Sequence, residues 1–528
     1  MDNREKNFLR VQEFFTHEWQ AYSAAGKSVH HNWLHFHVPG EEELLRREWR
    51  TSGLFRRFIS DVKDARSLVK DLEKLPDIRN LSSQGLAAHE MFDLKKFLRH
   101  YREIHRAWRL FNPRPFSFHS NYDKLWRLLN KGQDETSFAI SDAYSGKLRR
   151  IRIDLAAVRN EQASVKDAFH RKLERELGLK TLISGSEFTL DHHSPILASV
   201  QECGCVTPIE RMPDYLLFRL IYPPKIEELN RNLALLRESE RSEERKVLET
   251  LNRAVSRDLD HIKRDACMLT EWERCYTKAL AGEKWGLAKP TLGRTFTVSR
   301  GRLIPLEQEL TALSLSYEPL DLKTRRASVI ICGPNMGGKT QALKAIGFLQ
   351  ALFQYGWFVP AEKFSSRLYQ DIFCSATECF PEKTGLSSFG AEISYLAGAL
   401  SSGKGDCLFL LDEFSRTTNV KEGLALTRAL IEYFAGHVST LFLTTHYDVL
   451  SVAHADRFHT GGLRDRDRLT ELYRMEGAEK IAQLHRMMDF RLYPAGRNKP
   501  QREAVTIAAV LGLPEDIVKR AGELLSRK

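Results

Sequence analysis

Apolar residues recur along this chain in more than one period, and each period predicts a different element. The run Ala327-Ser328-Val329-Ile330-Ile331-Cys332 is short, apolar and partly β-branched, so it reads as a buried strand. Leu343, Ile346, Leu349 and Leu352 follow it at helical spacing. Leu408-Phe409-Leu410-Leu411 and Thr440-Leu441-Phe442-Leu443 are two further strand-like runs. Upstream, residues 148–177 carry a long helical pattern, and 188–222 look β-like, punctuated by Pro195, Pro208 and Pro213. Pro223-Pro224 then launches a helix expected to reach about residue 280. In it Ile226, Leu229, Leu233 and Leu236 alternate by three and four, as in the seam of a coiled coil. Leu248, Leu251, Val255, Leu259 and Ile262 resume that seam after the charged run 237–246. The run is read as a solvated face, with a register change as the alternative. Unbroken, such an arm would be on the order of 80 Å long.

The ends of the chain are helical in pattern too. Residues 1–66 are rich in Phe, Trp, Arg and His, and a second helical region runs from Leu68 past Trp126. Near the other end, 504–511 and 514–526 are split by Gly512-Leu513-Pro514, a stop followed by a start. The expected organisation is therefore a helical region of unassigned role at 1–66 and a helical core at 67–300 with a β insertion at 188–222. An α/β domain at 301–502 and a helix-turn-helix element at 503–528 complete it.

With 528 residues the chain has room for about two to four domains. Its 42% hydrophobic and 28% charged content is ordinary for a soluble protein. A net charge of +11 favours an anionic partner without naming one. The chain opens Met-Asp-Asn-Arg-Glu-Lys, with no apolar signal core, and its most apolar stretch, 343–359, is interrupted by Lys344 and Gln350. A cytoplasmic protein without a membrane span is expected. Eight cysteines are too few for a disulfide scaffold, and Cys332, Cys374 and Cys407 fall in or near core strands. Cys203-Gly204-Cys205 could bind metal with His192 and His193, but a zinc signature needs a second well-spaced pair. His30, His31, His35 and His37 interleave with Trp33 and Phe36, which reads as an aromatic packing segment.

Residues 333–340, Gly-Pro-Asn-Met-Gly-Gly-Lys-Thr, fit the phosphate-loop pattern G-x-x-x-x-G-K-[ST]. Strand, glycine loop and helix come in the order that lets backbone N–H groups and a helix N-terminus surround a polyphosphate. Gly333, Pro334, Asn335, Met336, Gly337, Gly338, Lys339, Thr340 and Gln341 are the expected contacts to ATP or GTP. Lys339 would reach the β- and γ-phosphates, and the Thr340 hydroxyl would ligate Mg²⁺. Asp412 and Glu413 end the strand 408–411 about seventy residues later, the Walker B arrangement. Asp412 would hold Mg²⁺ through water, and Glu413 would orient or deprotonate the attacking water. His446, after the run 440–443, is placed to sense the γ-phosphate.

The octapeptide resembles the phosphate loop of the MutS family of DNA mismatch-repair ATPases, where Pro-Asn after the first glycine is distinctive. Ser387-Ser388-Phe389-Gly390-Ala391-Glu392-Ile393 is similar to the family's Ser-Thr-Phe-x-x-Glu-Met segment, and Thr445-His446-Tyr447 to its Thr-His-Tyr switch. The likeness is clear over 303–528 and weaker back to about Leu68. It implies an ABC/MutS-like P-loop ATPase domain preceded by a helical lever or clamp, closest to the family's second bacterial branch. It also implies ATP and Mg²⁺ as cofactors, a dimer of identical or related subunits, and Ser387 reaching the partner's nucleotide.

The chain departs from that pattern. After Asp412-Glu413 the family has a glycine-rich turn, approximately Gly-x-Gly-Thr, whereas this chain reads Phe414-Ser415-Arg416-Thr417-Thr418-Asn419 with neither glycine, so the loop Ser415–Asn419 is altered and slow turnover is expected. The sole Phe-x-Glu, Phe380-Pro381-Glu382, lies inside the ATPase and cannot be the family's mismatch wedge. The chain stops at Lys528, directly after the terminal helices, so no nuclease activity is expected. The reading is an ATPase dimer that recognises branched or distorted DNA in repair or recombination. The alternative is an ATP-driven chaperone that reactivates a cobalamin-dependent aminomutase.

Overall fold

Strands built from uninterrupted apolar residues need cover on both faces, and a parallel sheet with helices on either side provides it. The computed structural model describes residues 1–82, 85–132, 140–177, 186–334, 336–375, 387–402, 405–446, 453–464, 472, 477–495 and 504–526. Six strands form one sheet: β7 (Ser328–Cys332), β9 (Ile372–Ser375), β10 (Leu408–Leu411), β11 (Thr440–Thr445), β12 (Ala455–Leu463) and β13 (Met488–Pro494). Their order is β13-β12-β7-β11-β10-β9, parallel except for the β12–β13 pair. Alternate side chains serve opposite cores. Val329 and Ile331 pack in one cluster with the helix Lys339–Gln354, while Ile330 and Cys332 pack in another with Ile431 and Phe434. A second sheet orders β4 (Thr291–Leu292), β8 (Lys363–Ser366), β5 (Thr297–Gly301) and β6 (Leu320–Lys323).

The chain divides into two compact units, one of Met1–Glu73, Glu103–Phe118 and Cys267–Lys528, the other of Lys74–Arg102 and His119–Ala266. These limits differ from sequence boundaries at 66 and 300, because the aromatic residues of the first segment bury themselves on the P-loop helix. Phe14 meets Phe348 edge-on at 5.6 Å between ring centres, and Phe15 and Trp19 pack on Trp357. Leu9 sits so close to Gly347 that a Cβ there would lie 2.4 Å from its Cδ2. As a result every residue from Ala345 to Gln354 is buried, as befits a helix apolar nearly all round. Its buried amides bond one another and the backbone: Gln350 donates to Gln354 Oε1 at 2.8 Å, and Gln354 donates to the carbonyls of His37 and Tyr369. In the histidine-rich segment, Trp33 packs on Trp19 and His37 Nδ1 lies 2.9 Å from the Gln354 carbonyl oxygen.

A buried ion pair joins the helix Glu42–Asp61 to the helix Leu259–Lys284. Glu48 accepts from Lys278 at 2.6 Å and from Arg274 at 2.9 Å. Burial alone would raise the Glu48 carboxyl, but the two cations outweigh it and hold the group at about 2. With the folded value depressed, this stability is fully present above the ordinary value of 4.5 and is lost as pH falls from there toward 2. The ionised Glu48 carboxylate therefore favours the folded state at neutral pH, while burial lowers the pKa of its partner Lys278 and works against the pair. Thermal melts from pH 7 to 3 should show Glu48→Gln losing its deficit relative to the parent as pH drops. A deficit that stays constant with pH would refute the assignment.

The other unit holds two long helices, Gly146–Leu177 and Pro224–Val255, and an antiparallel sheet ordered β1 (Glu187–Asp191), β3 (Tyr215–Leu220), β2 (Val206–Arg211). The sheet's Phe188, Leu190 and Phe218 bury against Phe169, Leu173 and Leu177. The expected helix to residue 280 is broken: it ends at Val255 and another begins at Leu259. Its 32 residues span about 48 Å rather than 80.

The charged run is corrected as well. After Ile226, Leu229 and Leu233 the buried seam resumes at Val247, Leu251 and Val255, with Leu248 only half-buried. Between them Glu240 and Glu244 keep the three-four spacing and accept from Arg152 of the facing helix, at 2.8 and 2.7 Å. The run is thus neither a purely solvated face nor a register change. It is a polar stretch of the same seam.

Candidate active site

At the end of β7 the chain must turn sharply, pass close to β12 and enter a helix. Gly333 has φ +150°, and a Cβ there would lie 2.1 Å from Thr460 Oγ1. Gly338, at φ +84°, occupies the N-cap position and offers no side chain to the first turn, which leaves the leading N–H groups of the helix for a ligand. Lys339 is 4% exposed. Its Nζ donates to the carbonyls of Gly333 and Pro334 at 3.0 Å each, and burial lowers its pKa against the opposing pull of Glu413 and Asp412.

Strands β10 and β11 deliver the remaining charged groups. Thr340 Oγ1 donates to Asp412 at 2.9 Å, and Thr444 Oγ1 donates to the same carboxylate at 2.6 Å. Hydroxyl and carboxylate side by side form an all-oxygen donor set that fits Mg²⁺. Glu413 lies beside them in the left-handed region, φ +53°, with its N–H donating to Thr444 Oγ1 at 2.8 Å. Its carboxylate lies 2.5 Å from His446 Nε2, 2.7 Å from Arg416 and 3.8 Å from Lys339 Nζ. The His446 hydrogen bond, partly opposed by burial and aided by Arg416, brings the Glu413 pKa down to about 2.

The structure therefore brings Lys339, Thr340, Asp412, Glu413 and His446 together. Met336, Gly337 and Gln341 line the same cavity of about 410 Å³, whereas Asn335 and Tyr447 lie outside the described residues. Ser387 is exposed and caps the helix Ser388–Ser401, accepting from Gly390 N at 3.2 Å. Sequence reasoning missed the far wall of the cavity, where Leu306, Leu310, Tyr317, His485 and Phe490 provide an apolar and aromatic surface suited to a nucleobase. They come from segments far apart in the chain and share no motif.

It also missed the role of Glu392. This buried carboxylate accepts from Ser375 Oγ at 3.0 Å and from the Ser415 N–H at 3.1 Å. Burial raises its pKa. Ser415, in the loop that lacks the family's glycines, adopts φ +59°. That conformation costs a side-chain-bearing residue about 1–2 kcal/mol. The bond to Glu392 and one from Ser415 Oγ to the Gly423 carbonyl, 3.1 Å, offset it. Without those glycines the loop differs in chemistry and still carries a left-handed turn, at Ser415.

Comparison with known proteins follows this geometry. Residues 329–527 match MutS domain V. Endonuclease MutS2 of Caldicellulosiruptor saccharolyticus is 27% identical over 308 residues, 57% of this chain and 36% of that protein. DNA mismatch repair protein MutS of Natronomonas pharaonis is 25% identical over 398 residues, 73% of this chain and 43% of that one. MutS of Listeria innocua is 23% identical over 525 residues, 96% of this chain and 58% of that one. The chain thus spans between about a third and three-fifths of these relatives' lengths.

Proposed function

We propose, for a chain that carries a MutS-type ATPase domain and is related to MutS and MutS2 proteins, that it binds and hydrolyses ATP to control its hold on branched or distorted DNA. The observation that carries the ATPase part is the convergence of Lys339, Thr340, Asp412, Glu413 and His446 at an uncapped helix start. The phosphates of ATP lie on the loop 333–340 and the base against Tyr317 and Phe490. Thr340 and Asp412 would hold Mg²⁺, which would supply charge neutralisation at the phosphates. Glu413 orients the attacking water, and His446 holds Glu413 by a hydrogen bond that a γ-phosphate would disturb. Asp412 and Glu413 are accounted for by ATP hydrolysis, and no nuclease chemistry is assigned to them.

The DNA part rests on what the relatives are named for and on the net charge. In this reading the paired helices Gly146–Leu177 and Pro224–Val255 form a lever, and their exposed cations meet phosphates without reading bases. Arg149 and Arg150 are exposed. Arg152 belongs to the helix seam and is unsuitable for testing DNA contacts. Gel shifts at two salt concentrations, with and without ATP, should show tighter binding to branched than to linear duplex, and a steep loss with salt. Arg149→Glu with Arg150→Glu should weaken binding several-fold at unchanged ATP affinity, whereas Arg152→Glu should lower thermal stability. Salt-sensitive background alone would retire DNA as the client and turn the search toward protein, an aminomutase included.

A dimer would cover an apolar face on the terminal helices. Ile507 and Val510 are already buried inside the chain with Leu484 and Met488. Leu511, Ile517 and Leu524 remain about half exposed, at 50, 52 and 55%. Ile517→Glu with Leu524→Glu should convert dimers to folded monomers in analytical ultracentrifugation. A dimer unaffected by both changes would place the contact elsewhere.

A further inference from the structure

None of the described residues 1–66 lines the ATPase cavity, yet they reach the helix that braces the loop after Glu413. Helix Ser388–Ser401 is held at two neighbouring positions. Glu392 accepts from Ser375 Oγ at 3.0 Å and from the Ser415 N–H at 3.1 Å. Three residues on, and so adjacent on the helix surface, Tyr395 donates its hydroxyl to Glu5 Oε1 at 2.5 Å. The Tyr395 ring also meets Phe373 of β9 edge-on, at 6.4 Å between ring centres. Glu5 belongs to the helix Asn3–Phe8 and is only 4% exposed.

Burying a carboxyl group costs stability unless hydrogen bonds replace its water, and both Glu5 oxygens have them. Oε2 accepts from the Asp2 N–H, and Asp2 in turn accepts from the N–H groups of Arg4 and Glu5. This capping box closes the first turn, while Oε1 ties it to Tyr395. The helix is anchored behind as well. Phe8 is buried with Lys344 Nζ over its ring at 4.6 Å, and Leu9 sits against Gly347 of the phosphate-loop helix. The groups that face Glu5 are Asp2 on its own helix and Tyr395 opposite. Of the other charges nearby, Glu13 pairs with Arg10, and Asp371 with the Met1 amino group. Burial and the Asp2 carboxyl raise the Glu5 pKa to about 7, and the Tyr395 bond opposes them only in part. With the folded value above the ordinary 4.5, the stability of this arrangement is fully present below 4.5 and is lost as pH rises through about 7.

We propose that Glu5 and Tyr395 are positioning residues for ATP hydrolysis, through which the helix Asn3–Phe8 holds the Glu392 brace and the loop 414–419. A helix fixed at Tyr395 presents Glu392 to Ser415 at a set height, and Ser415 follows Glu413 by two residues. Released at Tyr395, that helix can rock on β9. The bond to the Ser415 N–H then loosens readily, because Ser415 is held at φ +59° against its own preference. Glu413, in the same left-handed region at φ +53°, loses its aim at the water while the phosphate loop stays intact. This rests on the ATPase reading above, but the brace itself is measurable without nucleotide.

Tyr395→Phe keeps the ring against Phe373 and deletes the donor. In nucleotide-free protein it should speed hydrogen exchange across 414–419. It should also lower kcat about three- to tenfold, the factor that the net worth of one hydrogen bond converts to, while KM for ATP stays near the parental value. Glu5→Gln keeps an oxygen for Tyr395 and offers an amide to Asp2, so it imitates the protonated carboxyl. The ratio of its kcat to the parental kcat should rise as pH climbs through about 7, which a contact that only stabilised the fold would not produce. If the parent turns over no ATP, faster exchange in Tyr395→Phe still supports the brace, and it is the ATPase reading that fails. Parental exchange and kcat in folded Tyr395→Phe, or a kcat ratio flat with pH for Glu5→Gln, overturns the proposal.

Discussion

Glu413→Gln should lower steady-state ATP turnover by roughly 10²–10⁴-fold, the range for losing a positioned general base, and leave ATP binding nearly intact. The amide keeps the shape of the carboxylate and can still meet His446 and Arg416, which lie 2.5 and 2.7 Å from Glu413. It cannot accept a proton from water. The backbone there is already in the left-handed region and anchored on Thr444, so the substitution asks nothing new of the chain. Single-turnover assays should show an ATP-loaded state that persists. Because Glu413 titrates near 2, the acid limb of the parental rate profile should come from another group, and the limb should survive in the variant. Asp412→Asn should instead raise the Mg²⁺ concentration needed for half-maximal activity, since it removes a charge from the pair with Thr340. Parental turnover in Glu413→Gln would mean that another residue activates water.

Lys339→Ala should abolish productive ATP binding. Nζ is the only atom of this buried side chain carrying charge toward the phosphates, and truncating one partner of a desolvated, hydrogen-bonded charge pair costs about 2–5 kcal/mol. That corresponds to a loss of affinity of roughly 30-fold or more. The same nitrogen bonds the Gly333 and Pro334 carbonyls at 3.0 Å, so some of the loss would come from a looser loop. Lys339→Met keeps most of the stem and separates the two effects: it should bind ATP as poorly as the alanine variant while melting nearer the parent. Unchanged affinity and turnover in either folded variant would remove the site from 333–340.

Much of this site is legible in the linear chain, for a geometric reason. A polyphosphate held by backbone N–H groups requires glycine where the chain passes within contact of Thr460 or turns through positive φ, and it requires Lys and Thr at the first helical turn. Those demands act on consecutive residues, so they leave a motif. Asp412 and Glu413 follow the same logic at a strand end. Glu392 lies in the segment 387–393 that resembles a family motif, but its role there is not legible, because its partners Ser375 and Ser415 lie 17 and 23 positions away.

The seam of the long helices shows the limit from the other side. Leucine spacing located Ile226, Leu229 and Leu233, but glutamates at 240 and 244 look like surface until Arg152 is seen opposite them. The first 66 residues tell a similar story. The stretch 30–37 reads as an aromatic packing segment and the rest has no role legible in the sequence; only the fold revealed that Phe14, Phe15 and Trp19 pack with the helix of the phosphate loop. By itself the sequence determined the local elements, the phosphate loop and the carboxylate pair, since each is written in residues a turn or a strand apart. The nucleobase wall, the Glu392 brace, the Glu48 ion pair and the paired glutamates were decided by tertiary structure. Their energies come from contacts between segments far apart in the chain, and a linear pattern records the composition of each partner but not which partner it meets.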